Sequence, residues 1–218
     1  MKKKIRGVIF DLDGTLIDSG PDLLHSLNYV LKQQNLPDIP SEIIGNLVGG
    51  GAEAMIRRGF EYLNEKIDEN KVSEMIKSFL EFYFYNCTIK TCFYPNISFV
   101  IRTLYKMDVK LGICTNKKQY LAEKILDKLK ISNFFNIILG SSPNLRLKPS
   151  NEMLTFCMKK MDLKSSECMM VGDSNNDIIP ANELGMDSVF VSYGYGKLEQ
   201  KVEPKYSIER IDEILQLI

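Results

Sequence analysis

The chain has 218 residues, of which 44% are hydrophobic and 26% charged, and its 28 Lys and Arg balance its 28 Asp and Glu. That is the composition of a globular chain long enough to bury a proper core, and it excludes disordered and collagen-like classes. A net charge of +0 supplies no overall field for nucleic acid or an anionic membrane, so neither is expected as a partner.

The Met1–Lys4 opening has the look of a signal n-region, but the apolar run after it is broken by Arg6, Asp11 and Asp13. No stretch approaches the roughly 18 apolar residues of a membrane span. The five cysteines form no CxxC pair and stand near no histidine, which argues against a disulfide framework and a zinc site. A reducing cytoplasmic location is expected.

The first apolar run, Ile5–Phe10, reads as a buried strand ending in Asp11-Leu12-Asp13-Gly14-Thr15. Further strands are expected at Val109–Cys114, Asn136–Gly140, Cys168–Gly172 and Ser188–Ser192. Amphipathic stretches lie between them: Phe99, Val100, Thr103, Leu104 and Met107, then Leu121, Ala122, Ile125, Leu126 and Leu129, then Leu154, Phe156, Cys157 and Met161. This alternation predicts an α/β fold, a Rossmann-like parallel sheet core. From about Ser19 to about Thr91 only helical periodicity appears, with stripes at Leu23, Leu24, Leu27, Val30 and Leu31 and at Val72, Met75, Ile76, Phe79, Leu80 and Tyr83. The predicted organisation is therefore an α/β core over 1–18 and 92–218, interrupted by an all-helical cap over 19–91.

In open parallel sheets, ligands gather outside the carboxyl ends of the strands. Asp11 and Asp13 fall at such an end, although a strand followed by an Asx-type turn also accounts for this segment. Asp173 and Asp177 fall at another, in Gly172-Asp173-Ser174-Asn175-Asn176-Asp177. Converging carboxylates repel unless a cation neutralises them, and an all-oxygen donor set suits Mg²⁺. Helix capping explains one of the latter two acids but not both strand ends. Thr115 and Asn116 follow one expected strand and open a helix, offering a hydroxyl and N–H groups to an anion. Lys148 precedes Pro149, a context that restricts its backbone. Lys117 and Lys118 read as solvated helix residues, and His25 as a surface residue.

Together these four segments, in this order, resemble the four motifs of the haloacid dehalogenase-like hydrolase superfamily, and the helical insertion resembles its subclass I cap. Val48-Gly49-Gly50-Gly51-Ala52, Phe93-Tyr94-Pro95, Thr115-Asn116-Lys117 and Ser192-Tyr193-Gly194-Tyr195-Gly196 carry a closer likeness to bacterial phosphoglycolate phosphatases. The resemblance implies a Mg²⁺-dependent phosphatase that converts a small phosphomonoester, 2-phosphoglycolate as the best guess, through an aspartyl-phosphate. Asp11 would be the nucleophile and Asp13 the general acid and base. Asp11, the Asp13 carbonyl, Asp173 and Asp177 would serve the metal, and Thr115, Asn116 and Lys148 would bind the phosphoryl group. The acid at Asp13 favours a phosphatase over carbon–halogen chemistry, because an alkoxide needs a proton and a halide does not.

Alternatives within the resemblance are pyrophosphatase, nucleotidase and phosphosugar mutase activities; outside it stands a non-catalytic regulator that binds a phosphorylated ligand. Gly49-Gly50-Gly51 formally opens a dinucleotide fingerprint but has no strand before it. It reads as a loop, with Gly50, Gly51 and Arg57 as candidates for recognising substrate. A monomer or homodimer is expected. Pro180 falls where the helix after Asp177 is under way and is expected to shorten or kink it.

Overall fold

The structure, a computed structural model, describes residues 5–218; the basic Met1–Lys4 run lies outside the described residues. The chain divides into two compact units, Met1–Asp18 with Phe93–Ile218, and Ser19–Cys92.

The first unit is built on a six-stranded sheet. Its strands are β1 (Gly7–Phe10), β4 (Lys110–Lys118), β5 (Ile137–Ser141), β6 (Cys168–Gly172), β7 (Asp187–Val191) and β8 (Tyr206–Ile208). Their order is β5-β4-β1-β6-β7-β8 and every pairing is parallel. Every residue of β1 and of β6 is buried, which is why both read as continuous apolar runs without alternation. Short strands β2 (Ile17–Asp18) and β3 (Cys92–Phe93) form a separate two-stranded sheet where the chain leaves and re-enters this unit.

Among the described residues of this unit the α-helices are α5 (Ile97–Lys106), α6 (Gln119–Lys128), α7 (Glu152–Met161) and α8 (Asn175–Glu183). α7 buries Met153, Leu154, Cys157, Met158 and Met161, at helical spacing, in a cluster with Ile9 of β1, Cys114 of β4 and Met170 of β6. Truncating a fully buried side chain such as Leu154 to alanine costs about 2–5 kcal/mol. The packed sheet is thus a rigid platform for its strand ends.

The structure corrects several sequence expectations. On α5 the buried face is Ile97, Val100, Ile101 and Leu104, while Phe99 and Met107 are 60% and 49% exposed. β4 does not stop at Cys114 but runs to Lys118, so Thr115, Asn116 and Lys117 lie on a strand and the helix starts only at Gln119. Strand β8, a three-residue edge strand with one buried side chain, has no apolar run to announce it. Pro180 does not end α8, which continues to Glu183; its ring removes only the N–H that would have bonded Asn176.

The second unit contains helices α1 (Gly20–Gln33), α2 (Ile44–Leu47), α3 (Gly51–Tyr62) and α4 (Val72–Asn86), and no strand other than Cys92 of β3. α1 buries Leu23, Leu24, Leu27, Val30 and Leu31, and α4 buries Val72, Met75, Phe79 and Tyr83; the two pack together. Its two ends are tied by buried Asp22, whose carboxylate accepts from the Lys90 N–H at 3.0 Å, the Thr91 N–H at 2.9 Å and the Thr91 hydroxyl at 2.8 Å. His25 is exposed and meets Phe82 edge-on at 5.0 Å. None of the described residues forms a helix long and apolar enough to cross a membrane.

Candidate active site

Because the sheet is parallel, the carboxyl ends of β1, β4 and β6 emerge along one edge. After Phe10 the Asp11 N–H donates to the Val171 carbonyl at 2.9 Å, carrying the β1–β6 pairing one residue past the strand. The chain then turns back, with the Leu12 carbonyl accepting from Leu16 at 3.0 Å and Ile17 at 3.1 Å. Gly14 makes this turn possible: its φ is +83°, and a Cβ there would lie 2.2 Å from Asp173 Oδ2. Among the described residues the buried Thr15 hydroxyl oxygen has no hydrogen-bond partner.

At the end of β6, Asp173 and the start of α8 supply the second group of acids. Ser174 donates from its hydroxyl at 2.9 Å and its N–H at 3.2 Å to Asp177 Oδ2, closing the first turn of α8. Helix capping therefore does account for one oxygen of Asp177, while its Oδ1 faces Lys148 at 2.5 Å. Asp173 Oδ2 accepts from the Tyr195 and Gly196 N–H groups at 2.8 and 2.9 Å. The Tyr193–Gly196 turn comes so close that a Cβ at Gly194 would sit 2.3 Å from Asp173 Cβ.

Asp11, Asp173 and Asp177 converge, each offering a carboxylate oxygen within 4.8 Å of the others. Burial, opposed by Lys148 and aided by the charges of Asp177 and Asp13, pushes the Asp11 carboxyl up to about 6. Burial together with the charges of Asp177 and Asp11, opposed by the Gly196 and Tyr195 N–H groups, likewise brings Asp173 up to about 7. Lys148 is buried, which by itself disfavours its charge, yet Asp11 and Asp177 hold its ammonium above the ordinary lysine range. Three clustered carboxylates with one ammonium leave an excess of negative charge in a desolvated place. An oxygen-only donor set with that excess fits a hard divalent cation.

Lys148 Nζ lies 2.9 Å from Asp11 Oδ1, and its backbone is held by Asn116. The Asn116 amide donates to the Lys148 carbonyl at 2.7 Å and its oxygen accepts from the Lys148 N–H at 2.9 Å. The Lys148–Pro149 bond is cis. The side chain of Asn116 is thus engaged in placing Lys148. Thr115 is buried, and its hydroxyl accepts from the Lys117 N–H at 3.3 Å.

Lys117 is not a solvated helix residue. It lies on β4 with its side chain 5% exposed, and its ammonium contacts Asp13 Oδ1 at 2.9 Å and Oδ2 at 3.0 Å. The cause is a register shift: Cys114 pairs with Leu139 but Lys118 with Ser141, so four steps along β4 match two along β5. Such a bulge re-aims the side chains it contains. Nothing in the local sequence announces it. The N–H groups of Tyr195 and Gly196 on Asp173 were equally hidden, although the glycine spacing around Tyr195 hinted at a close approach.

The remaining candidates lie in the helical unit. Gly50 and Gly51 adopt φ of +78° and +86° at the start of α3. Arg57 is engaged with Glu53 at 2.9 Å and Glu69 at 2.8 Å. Its neighbour Arg58 donates to the Leu47 and Gly49 carbonyls at 2.9 and 2.7 Å, bracing the glycine loop.

The family model for haloacid dehalogenase-like hydrolases matches residues 8–191. A phosphoglycolate phosphatase from Caulobacter vibrioides is 33% identical over 196 residues, covering 90% of this chain and 82% of the relative. One from Colwellia psychrerythraea is 32% identical over 213 residues, covering 95% and 94%. The crystal structure of a predicted phosphoglycolate phosphatase from Haemophilus somnus superposes with a TM-score of 0.89 at 28% identity, covering 98% of this chain and 97% of that one.

Proposed function

The chain belongs to the haloacid dehalogenase-like hydrolase family and is a phosphoric monoester hydrolase, and we propose that it hydrolyses 2-phosphoglycolate to glycolate and phosphate with Mg²⁺. The convergence of Asp11, Asp173 and Asp177 within 4.8 Å beside Lys148 carries this reading. The relatives named phosphoglycolate phosphatase support the choice of substrate.

Asp11, Asp173 and Asp177, with the Asp13 carbonyl, would hold the cation. Its chemistry there is to neutralise charge, so that an anionic nucleophile approaches an anionic phosphate. Lys148 and the hydroxyl of Thr115 bind the phosphoryl oxygens, and Asn116 keeps Lys148 in place. A carboxylate oxygen of Asp11 attacks phosphorus, the bond from phosphorus to the glycolate oxygen breaks, and Asp13 gives that oxygen a proton. Water then attacks the aspartyl-phosphate, Asp13 takes its proton, and Asp11 is released with inorganic phosphate.

The helical unit Ser19–Cys92, in the role of a cap, sets which ester is accepted, with Gly50, Gly51 and Arg57 its candidates for recognition. The reaction belongs in the cytoplasm, whose reducing conditions suit five cysteines that form no disulfide. The experiment is phosphate release across a panel of phosphate esters with Mg²⁺ and with EDTA. The reading expects 2-phosphoglycolate to rank first by kcat/KM and EDTA to abolish turnover; a different first-ranked ester would reassign the substrate.

A further inference from the structure

We propose that Lys117 is a positioning residue that orients Asp13 for proton exchange with the leaving group. The inference rests on the phosphatase reading above, in which Asp13 is the acid and base. Its observation is independent of that reading: the Lys117 ammonium straddles both oxygens of Asp13, at 2.9 and 3.0 Å, with the lysine side chain 5% exposed and the aspartate 19%.

A lysine on a surface keeps its charge in water and its stem mobile. Lys117 gives up both, and a buried ammonium is tolerable only against a carboxylate. Contact with both oxygens fixes the plane of the Asp13 carboxylate, since rotating it would forfeit one of the two bonds. Each carboxylate oxygen has a second lone-pair direction, which leaves Asp13 able to exchange a proton with substrate while the ammonium holds it.

The fold has a specific device for this placement. Phe10 of β1 pairs with Ile113 of β4, and both chains run on past that point, toward Asp13 on one and Lys117 on the other. The bulge after Cys114 and the Thr115 hydroxyl bonded to the Lys117 N–H set the lysine's direction. Lys148 already meets Asp11, so Lys117 serves the other acid of the pair. Division of labour follows: one buried lysine for the nucleophile and phosphoryl group, the other for the proton.

Leaving-group chemistry separates this role from a structural one. An alkyl phosphate releases a basic alkoxide that needs a proton, whereas 4-nitrophenyl phosphate releases a stable anion that does not. The test compares wild type, Lys117→Met, Lys117→Gln and Asp13→Asn on 2-phosphoglycolate, ethyl phosphate and 4-nitrophenyl phosphate with Mg²⁺. Lys117→Met should lower kcat/KM on both alkyl esters at least about tenfold and change the aryl ester less than about threefold. Lys117→Gln, which keeps one donor for Asp13 and covers the case in which Lys117→Met does not fold, should show the same split more weakly. Asp13→Asn should show it more strongly, and the Lys117→Met/Asp13→Asn double variant should be no slower than Asp13→Asn alone.

An equal loss on all three esters, or none, overturns the inference. A loss confined to 2-phosphoglycolate also overturns it, because the ammonium would then bind the substrate's carboxylate. Failure of the phosphatase reading itself is distinguishable, since it shows as absence of turnover in the wild type.

Discussion

The Lys148 ammonium lies 2.9 Å from Asp11 Oδ1 and is itself within 2.5 Å of Asp177 Oδ1. One cation thus joins the carboxylate at the end of β1 to the one in the first turn of α8. All three groups are buried or nearly so, with side chains 1%, 13% and 0% exposed. Removing the cation leaves buried carboxylates uncompensated. Lys148→Met should therefore lower phosphate release by about 10²–10³-fold, the scale of losing one donor to a developing oxyanion. It should also destabilise the fold by about 3–5 kcal/mol in urea unfolding. A variant that keeps full activity would remove Lys148 from the site.

The raised carboxyls make stability depend on pH and on the cation together. Asp173 and Asp11 sit at about 7 and about 6, above the ordinary 3.8, so the folded state binds more protons than the unfolded state in that interval. Stability contributed by these groups is present below about pH 4 and is lost as pH rises toward 7. A divalent cation binds the deprotonated acids and offsets the loss. Melting temperatures in EDTA should therefore decline across pH 5 to 8 relative to those in Mg²⁺, as about one unit of carboxyl shift is worth 1.4 kcal/mol. Parallel curves would show that no cation binds these acids.

Gly194 tests the backbone support of Asp173. A methyl group there would lie 2.3 Å from Asp173 Cβ and 2.4 Å from the Gly14 carbonyl. Gly194→Ala should push the Tyr193–Gly196 turn away and remove two N–H donors from Asp173. Loss of such supporting bonds weakens metal affinity about 10–100-fold. Titrating activity with Mg²⁺ should show that rise in half-saturation; an unchanged value would mean the turn does not orient Asp173.

Asp22 tests the helical unit without touching the acids of the core. Asp22→Ala strands the Thr91 N–H and hydroxyl in a buried place and removes the acceptor of the part-buried Lys90 N–H. The expected cost is at least about 2 kcal/mol, read from urea unfolding. A change below about 0.5 kcal/mol would indicate that water replaces the carboxylate.

The motif acids and Lys148 were legible because each follows an apolar strand and precedes a turn, and in a parallel sheet those ends share one edge. The helical insertion was legible from its period and its lack of strand patterning. Lys117 was not, because its neighbours read as the start of a helix and a bulge against β5 keeps them on a strand. The exposed faces of Phe99 and Met107 show the limit of periodicity: two stripes on one helix satisfy a similar step, and packing against the sheet selects Ile97, Val100, Ile101 and Leu104. Backbone donors such as those of Tyr195 and Gly196 carry no side-chain signal at all.

The central claim is that Asp11 is the nucleophile of a cation-dependent phosphatase. Phosphate release from 2-phosphoglycolate by the wild type and by Asp11→Asn, each with Mg²⁺ and with EDTA, measures it directly. The account predicts turnover only for the wild type with Mg²⁺, with the Asp11→Asn protein folded and inactive in both conditions. Turnover by Asp11→Asn, or by the wild type in EDTA, would contradict it.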